Sequence, residues 1–282
     1  MTIAVFGNWY KRSTLDEVQH VLDFMESRSV KVLLAQELRD EMNLREKYLP
    51  FTLDTEEYVD FALSIGGDGT FLYTTSVVAG RDIPILGINC GRLGFLADVQ
   101  TKEVDYILDQ LVQNNYTIEQ RSQLHVIPSL GGHIEHPFAL NEIAVMKQEL
   151  SSMIGIEAKV NGELLNYYKA DGLLISTPTG STAYNLSVGG PLMMPQTRGL
   201  ILSPIATHTL NVRPIVIPDD WQIDLTLKSR SHSYLLSIDG RSVTMKEDIT
   251  LHIEKAQATV KLVQIGEHTF LNSLKEKLSW GI

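Results

Sequence analysis

Three short apolar runs near the start of the chain are each followed closely by glycine, and this recurrence limits the fold more than any other feature. Ile3 to Phe6 ends in Gly7 and Asn8, Tyr58 to Ile65 ends in Gly66 and Gly67, and Ile83 to Ile88 is followed by Gly91 and Gly94. Stretches with helical spacing separate them. Leu15, Val18, Val21, Leu22 and Met25 fall on one face of a helix that Ser13 can cap. Val30 to Ala35 reads as a further strand, Thr70 to Ala79 and Val104 to Leu111 as helices, and the acidic stretch from Glu37 to about Glu57 as irregular. Strand, glycine turn, helix, strand is the pattern of a parallel α/β sheet. Such sheets bind ligands at the carboxyl ends of their strands, where these glycines lie.

The periodicity then changes. From Gln123 to about Ile265 short β-type runs follow one another: His125 to Ile127, Phe138 to Met146, Ile154 to Val160, Leu173 to Ser176, Ile223 to Leu227, Tyr234 to Ile238, Ile249 to Ile253 and Val260 to Val263. Gly131-Gly132, Asn161-Gly162, Pro218-Asp219-Asp220 and Asp239-Gly240 punctuate them, and Asn161-Gly162 between Val160 and Leu164 is a strong hairpin signal. Many short strands with little helix predict an all-β, sandwich-like domain. Leu271, Leu274 and Leu278 in the tail share a helical face, which predicts a C-terminal helix that packs back on the first domain. The expected division is residues 1–100 plus 268–282 for the α/β domain and 101–267 for the β domain.

Composition narrows the function classes. The 282 residues are 44% hydrophobic and 21% charged, as in globular proteins, and carry a net charge of −10. An acidic chain does not favour nucleic acid or an anionic membrane as partner, since both reward clustered Lys and Arg. Cys90 is the single cysteine, which excludes an intramolecular disulfide and fits a reducing compartment; it reads as a small buried apolar residue. Met1 to Gly7 reads as a strand and not a signal peptide, and no apolar run reaches the ~20 residues needed to span a bilayer. The expected location is the cytoplasm.

Three motifs carry chemistry. Ile65-Gly66-Gly67-Asp68-Gly69-Thr70 follows a strand and opens a helix, so its glycines let the backbone approach a phosphate at a helix amino end. The pattern is neither a P-loop nor G-x-G-x-x-G. A carboxylate between the glycines would repel a phosphate, and makes sense if Asp68 accepts a proton from an attacking hydroxyl or helps hold a metal. On the loop alone, a tight turn with Asp68 capping the helix accounts for the residues equally well. Asp171-Gly172, then Thr177-Pro178-Thr179-Gly180-Ser181-Thr182-Ala183-Tyr184, is dense in hydroxyls that can bond phosphate or ribose, and Tyr184 can pack on a base; Gly189-Gly190-Pro191 closes the segment. Asn141-Glu142 interrupts the apolar run from Phe138 to Met146, a costly placement unless partnered. Glu142 can accept from ribose hydroxyls, and a solvated strand end is the plainer alternative.

Together these motifs resemble the NAD kinase family nearly end to end. The likeness includes Gly66 to Thr70, Asn89-Cys90-Gly91-Arg92-Leu93-Gly94-Phe95-Leu96, Asn141-Glu142, Asp171-Gly172, Thr177 to Tyr184, His208-Thr209-Leu210 with Arg213-Pro214, and the tail ending Lys277-Leu278-Ser279-Trp280. Diacylglycerol and sphingosine kinases carry a loop similar to the first motif, and phosphofructokinases a related one; the stretch from Thr177 to Tyr184 is the specific part. The resemblance implies an α/β domain plus a β-sandwich domain, a homodimer or homotetramer, ATP as phosphate donor and a divalent cation, usually Mg²⁺, held mainly by the ATP phosphates with Asp68 available to it. It implies that Asp68 is the base that activates the adenosine-ribose 2′-hydroxyl of NAD, with Gly69 against the nucleotide. Asn141 and Glu142 would bind ribose hydroxyls and Asp171 would anchor the dinucleotide. Thr182, Ala183, Tyr184, Ser187 and Ala206 would line the adenine side, with Lys169, Thr179, Asn185 and Leu186 completing the set. Gly66, Gly67, Thr70, Arg92 and Arg241 are the candidates on the phosphate side. His208 reads as structural. Ala206-Thr207 before His208, Arg241 after Asp239-Gly240, and Ser152 depart from common family patterns. A lipid kinase with the same loop would want a basic or apolar membrane face, and a nucleotide-binding regulator that had lost catalysis would not need Asp68.

Overall fold

The computed structural model describes residues 1–91, 94–97, 99–149, 152–266 and 269–279. Arg92, Leu93 and Trp280 therefore lie outside the described residues. The chain forms two compact units, Met1–Gln120 with Val260–Ile282, and Arg121–Thr259.

The first unit is built on one eight-stranded sheet, whose strands run in the order Leu49–Phe51, Lys31–Ala35, Thr2–Gly7, Phe61–Gly66, Ile85–Asn89, Val260–Gln264 and Thr117–Arg121, with Val99–Gln100 paired to the end of Ile85–Asn89 off this path. The pairs from Leu49–Phe51 to Val260–Gln264 are parallel. All of Phe61–Gly66 is buried, which is why it reads as a continuous apolar run without alternation. Thr2–Gly7 lies between Lys31–Ala35 and Phe61–Gly66, so the chain winds first to one side of it and then to the other. The loops after Thr2–Gly7 and Phe61–Gly66 diverge there and leave a crevice at their carboxyl ends. Helix Arg12–Ser27 buries Val18, Val21, Leu22 and Met25 as the spacing predicts. Ser13 does not cap it: Lys11 is the N-cap, no side chain caps it, and Ser13 sits inside the first turn. The stretch expected to be irregular holds a short helix, Gln36–Glu41, and a three-residue strand, Leu49–Phe51. That strand is too short for a period to show, and Pro50 is tolerated because it lies on the sheet edge.

The helix expected to start at Thr70 starts at Asp68, with Gly67 as N-cap. Gly66 and Gly67 make the turn, and Gly69 is helical despite its poor propensity. The tail forms helix Phe270–Leu278, capped by the Thr269 side chain, which accepts from the Asn272 amide at 3.3 Å. It buries Leu274 while Leu271 is exposed. Its Phe270 ring lies 6.1 Å from that of Phe95, and the Lys277 ammonium sits 3.8 Å above the Phe95 ring.

The second unit packs two six-stranded antiparallel sheets. One runs Ile215–Ile217, Leu200–Ile205, Gly172–Ser176, Glu142–Met146, Ser233–Ile238, Arg241–Lys246; the other runs Glu163–Ala170, Ile154–Val160, Ile223–Lys228, Leu251–Lys255, Leu124–Pro128, Phe138–Ala139. Residues from both, among them Ile143, Val145, Ile156, Leu173, Leu225 and Leu236, make one apolar core. Asn161-Gly162 forms the expected hairpin turn with both residues at positive φ, 49° and 80°. The run from Phe138 to Met146 is not one strand. Phe138–Ala139 pairs with Leu124–Pro128 in one sheet, whereas Glu142–Met146 pairs with Gly172–Ser176 and Ser233–Ile238 in the other. The chain changes sheets at Leu140-Asn141. The strand at Val260–Gln264, which the period alone groups with the β domain, belongs to the sheet of the first unit.

Candidate active site

In the first unit, chemistry gathers where strands Thr2–Gly7, Phe61–Gly66 and Ile85–Asn89 end. A Cβ on Gly66 would stand 2.8 Å from the Thr70 Cβ, so close packing of the turn on its own helix requires glycine there. A Cβ on Gly67 or Gly69 would meet nothing within 4 Å, so these glycines border open space. Asp68, at the first helical position, does not cap the helix. Its carboxylate turns to the neighbouring loop and accepts from the amides of Phe95 at 2.8 Å, Leu96 at 3.0 Å and Ala97 at 3.1 Å. A carboxylate has about four acceptor positions, so three N–H bonds fix it and leave one for a further donor. Gly94 makes this seat possible: its Cβ would lie 2.6 Å from Asp68 Cγ.

The loop is tied down in turn. Asn89 donates from Nδ2 to the Ala97 carbonyl at 3.1 Å and accepts from the Gly91 amide at 2.7 Å, while the Cys90 amide donates to the Gly66 carbonyl at 2.9 Å. The described parts of this motif, Asn89 to Gly91 and Gly94 to Leu96, thus serve with Ala97 to place Asp68. Beside it lies a cavity of about 140 Å³ lined by Asn8, Lys11, Thr14, Gly66, Gly67 and Asn89 to Gly91. A second, of about 490 Å³, shares Asn89, Cys90 and Gly91 and extends to Ser13, Glu17, Gln100 and Thr101. Lys11 supplies a cation at the end of the first strand; the sequence signal for it was its place just after Gly7-Asn8. Burial pushes the Cys90 thiol up to about 11, so it is an inert lining residue.

In the second unit the crossing at residues 140–142 is the centre. Leaving one sheet for the other strips three successive amides of ladder partners. Asp239 takes all three: Leu140 donates at 2.7 Å to Oδ2, and Asn141 and Glu142 at 2.8 and 3.0 Å to Oδ1. The carbonyls are served as well, with Thr177 Oγ1 donating to Leu140 O at 2.6 Å, the Thr177 amide to Asn141 O at 2.9 Å, and the Asp239 amide to Glu142 O at 3.0 Å. Glu142 has a buried Oε2 with no hydrogen-bond partner, and burial followed by the nearby Asp239 charge pushes its carboxyl up to about 8. Burial raises Asp239 too, against the pull of the three amides. Arg241 turns inward, donating to Ile238 O at 3.3 Å and Phe138 O at 3.2 Å, which leaves Nη1 buried and unpartnered. Its guanidinium is largely committed to the crossing.

The remaining expected residues fall into two groups. Asp171 pairs with Lys147 at 2.7 Å, a partner the sequence did not single out, and the Asp171 amide donates to Ile205 O. The His208 amide donates to Lys169 O, so Lys169, Asp171 and the Ala206 turn are neighbours, and Ala206 takes φ +46°, a strained value for alanine. The stretch Thr179–Thr182 is a 3-10 turn followed by helix Tyr184–Ser187. Tyr184 and Ser187 are exposed, Thr182, Ala183 and Leu186 partly so, and Thr179 is buried within 3.4 Å of Arg121 Nη1. Asn185 departs from a ligand-facing role. It is fully buried, accepts from Ser203 Oγ at 2.7 Å and donates to Ser181 O and Pro191 O, with Gly190 packed against its amide. It holds the turn together from inside.

Over its full length the chain is 43% identical to the NAD kinase of Bacteroides fragilis, covering 98% of that protein. The chain belongs to the NAD kinase family. The NAD kinase of Flavobacterium psychrophilum is 41% identical over the whole chain and 98% of its own length. The ATP-NAD kinase N-terminal domain matches residues 3–116 and the ATP-NAD kinase C-terminal domain residues 140–265. The NAD kinase fold is also that of a yeast NADH kinase complexed with NADH, with TM-score 0.90 over 100% of this chain and 88% of that one at 22% identity. An NAD kinase from Archaeoglobus fulgidus in complex with ATP gives TM-score 0.76 at 26% identity, over 99% of both chains. A lipid kinase that merely shares the glycine loop is thereby set aside.

Proposed function

We propose that this chain phosphorylates the adenosine-ribose 2′-hydroxyl of NAD from ATP, with Asp68 as the group that takes the hydroxyl proton. The observation that carries the reading is the seat of Asp68: three amides immobilise its carboxylate, one acceptor position is left, and open space flanks it at Gly67 and Gly69. Phosphoryl transfer asks little covalent work of a protein and much positioning and charge neutralisation. Gly66, Gly67, Gly69 and Thr70 offer amides at a helix amino end for phosphates, and Lys11 adds a charge. Asn141 and Glu142 hold ribose hydroxyls, the orphaned Glu142 oxygen being an acceptor that a hydroxyl satisfies. Asp171, Lys169, Thr179, Thr182, Ala183, Tyr184, Leu186, Ser187 and Ala206 contribute the rest of the dinucleotide contacts, and Arg241 Nη1 is a remaining donor.

A divalent cation, Mg²⁺, neutralises phosphate charge when bound. Among the described residues no group of three or more His, Cys, Asp or Glu side chains could cage one. The residues fit an ion that would be carried by the ATP phosphates and its waters, which leaves the free Asp68 position to the hydroxyl. NADH in the yeast relative and ATP in the archaeal one support this pair of nucleotides. The proposal extends to a cytoplasmic homo-oligomer, supported by the family and the single cysteine; no helix among the described residues is long and apolar enough to cross a membrane.

The test is NADP formation from NAD, ATP and Mg²⁺, read by an NADP-specific dehydrogenase. Wild type is expected to turn over and Asp68→Asn to lose about 10²–10⁴-fold in kcat, the worth of a positioned base. No NADP from wild type, or unchanged turnover in Asp68→Asn, refutes the mechanism.

A further inference from the structure

We infer that Asp239 is a positioning residue for the dinucleotide, acting through the backbone of residues 140–142. The inference rests on the reading that Asn141 and Glu142 hold NAD. A turn and the residue that fills it are mismatched at Asp239. Asp239-Gly240 and Asn161-Gly162 have nearly the same backbone, with φ of 47° and 80° against 49° and 80°. Asparagine suffices in the second, where Asn161 Oδ1 accepts from Gln222 N at an exposed hairpin end. The turn alone therefore does not call for a carboxylate at 239. Burying a charge is costly unless hydrogen bonds compensate, and here three amides do so.

Those amides belong to the crossing between the two sheets, where no ladder can hold them. Three donors converging on two oxygens need a group that accepts at both, which a carboxylate does and a carboxamide does not. The Asp239 amide returns a bond to Glu142 O, and Arg241, two residues on, reaches Phe138 O on the other side of the crossing. The hairpin tip thus grips the crossing at 138, 140, 141 and 142. Asn141 and Glu142 side chains leave from a backbone whose position Asp239 sets before any ligand arrives. Asp68 uses the same device in the first unit, gripping three successive amides at 95–97. There the carboxylate is the group proposed to react; in the second unit it holds the backbone of the residues proposed to bind the dinucleotide.

The experiment compares wild type, Asp239→Asn and Asn141→Ala by steady-state kinetics, with thermal melts alongside. Asp239→Asn presents an NH₂ to one of the amides, and is expected to raise KM for NAD at least tenfold with KM for ATP within twofold. Asn141→Ala is expected to raise KM for NAD as well. If Asn141→Ala raises it and Asp239→Asn does not, the positioning role is wrong while the functional reading stands. If neither changes it, the reading of Asn141-Glu142 fails and the inference with it. Equal rises in both KM values with a lowered Tm mark a merely structural residue and also overturn it. Hydrogen exchange on wild type without NAD decides the matter should Asp239→Asn not fold. Slow exchange at 140–142, matching the adjoining strands, supports the grip, and free exchange there refutes it.

Discussion

Replacing Gly94 with alanine perturbs Asp68 without touching its chemistry. The added Cβ would sit 2.6 Å from Asp68 Cγ, and nearer still to Oδ1. Carbon atoms in contact stand about 3.5–4.0 Å apart, so the carboxylate and the 94–97 loop must separate by about 1 Å. The side chain cannot swing aside freely, because Phe95, Leu96 and Ala97 amides hold it. A misplacement of ~1 Å at a reacting group can cost ~100-fold in rate, about 2.7 kcal/mol of barrier. Loss of one charge-assisted bond costs a further ~1.5–3 kcal/mol of stability, since its amide or acceptor is left exposed to the loop interior. The assay is the coupled NADP rate at saturating NAD and ATP, paired with a thermal melt on the same preparation. We expect kcat to fall about 100-fold and Tm to drop by several degrees. A Gly94→Ala protein whose kcat stays within threefold of wild type would show that the seat of Asp68 is not what sets the rate.

Two further outcomes separate ligand space from packing and charge from shape. Gly69→Ala adds a methyl where nothing lies within 4 Å and replaces glycine inside a helix, so stability should rise by up to ~1 kcal/mol while activity falls; unchanged kinetics would mean that no phosphate approaches this face. Glu142, raised from 4.5 to about 8 when folded, contributes stability that is complete below its unfolded value and is lost as pH rises to about 8. Glu142→Gln should therefore unfold at higher denaturant than wild type at pH 9 and about equally at pH 5, the raised Asp239 leaving a residual slope in both. Parallel pH curves for the two proteins would contradict the buried carboxyl.

Much of the fold is legible because the first unit alternates strand and helix periods while the second repeats short strands. The glycine-terminated runs gave the parallel strands, and the Asn161-Gly162 hairpin followed from positive φ at two residues that tolerate it. What the sequence hid was partnership. Phe138 to Met146 is uniformly apolar apart from Asn141-Glu142, and periodicity does not state that its two ends join different sheets. Val260–Gln264 looks like any other strand of the β region, since its destination beside Ile85–Asn89 depends on contacts far apart in the chain. In the candidate site the same limit applies. Asp68 was recognisable from its glycines, but not that its carboxylate binds the 95–97 amides instead of capping its helix. Asp239-Gly240 is legible only as a turn and Lys147 not at all, because each matters through residues distant in sequence, the 140–142 crossing and Asp171. Asn185 carried a ligand-like composition around it, yet its neighbours Ser203 and Gly190 enclose it.

The place of Val260–Gln264 in the first sheet has a consequence for how the protein is made. Val99–Gln100 covers the far end of Ile85–Asn89, but the link from that strand to Thr117–Arg121 is made by residues 260–264, after a stretch of chain long enough to build the whole second unit. A ribosome that has released the glycine loop and its helix has therefore produced a sheet with an unfinished interior edge, the kind of edge that invites pairing with other chains. The first unit waits for the β unit to be synthesised before its last strand can dock. The contact of the Phe270–Leu278 helix with Phe95 likewise joins segments far apart in the chain, so the 94–97 loop gains that support only after the second unit has been made.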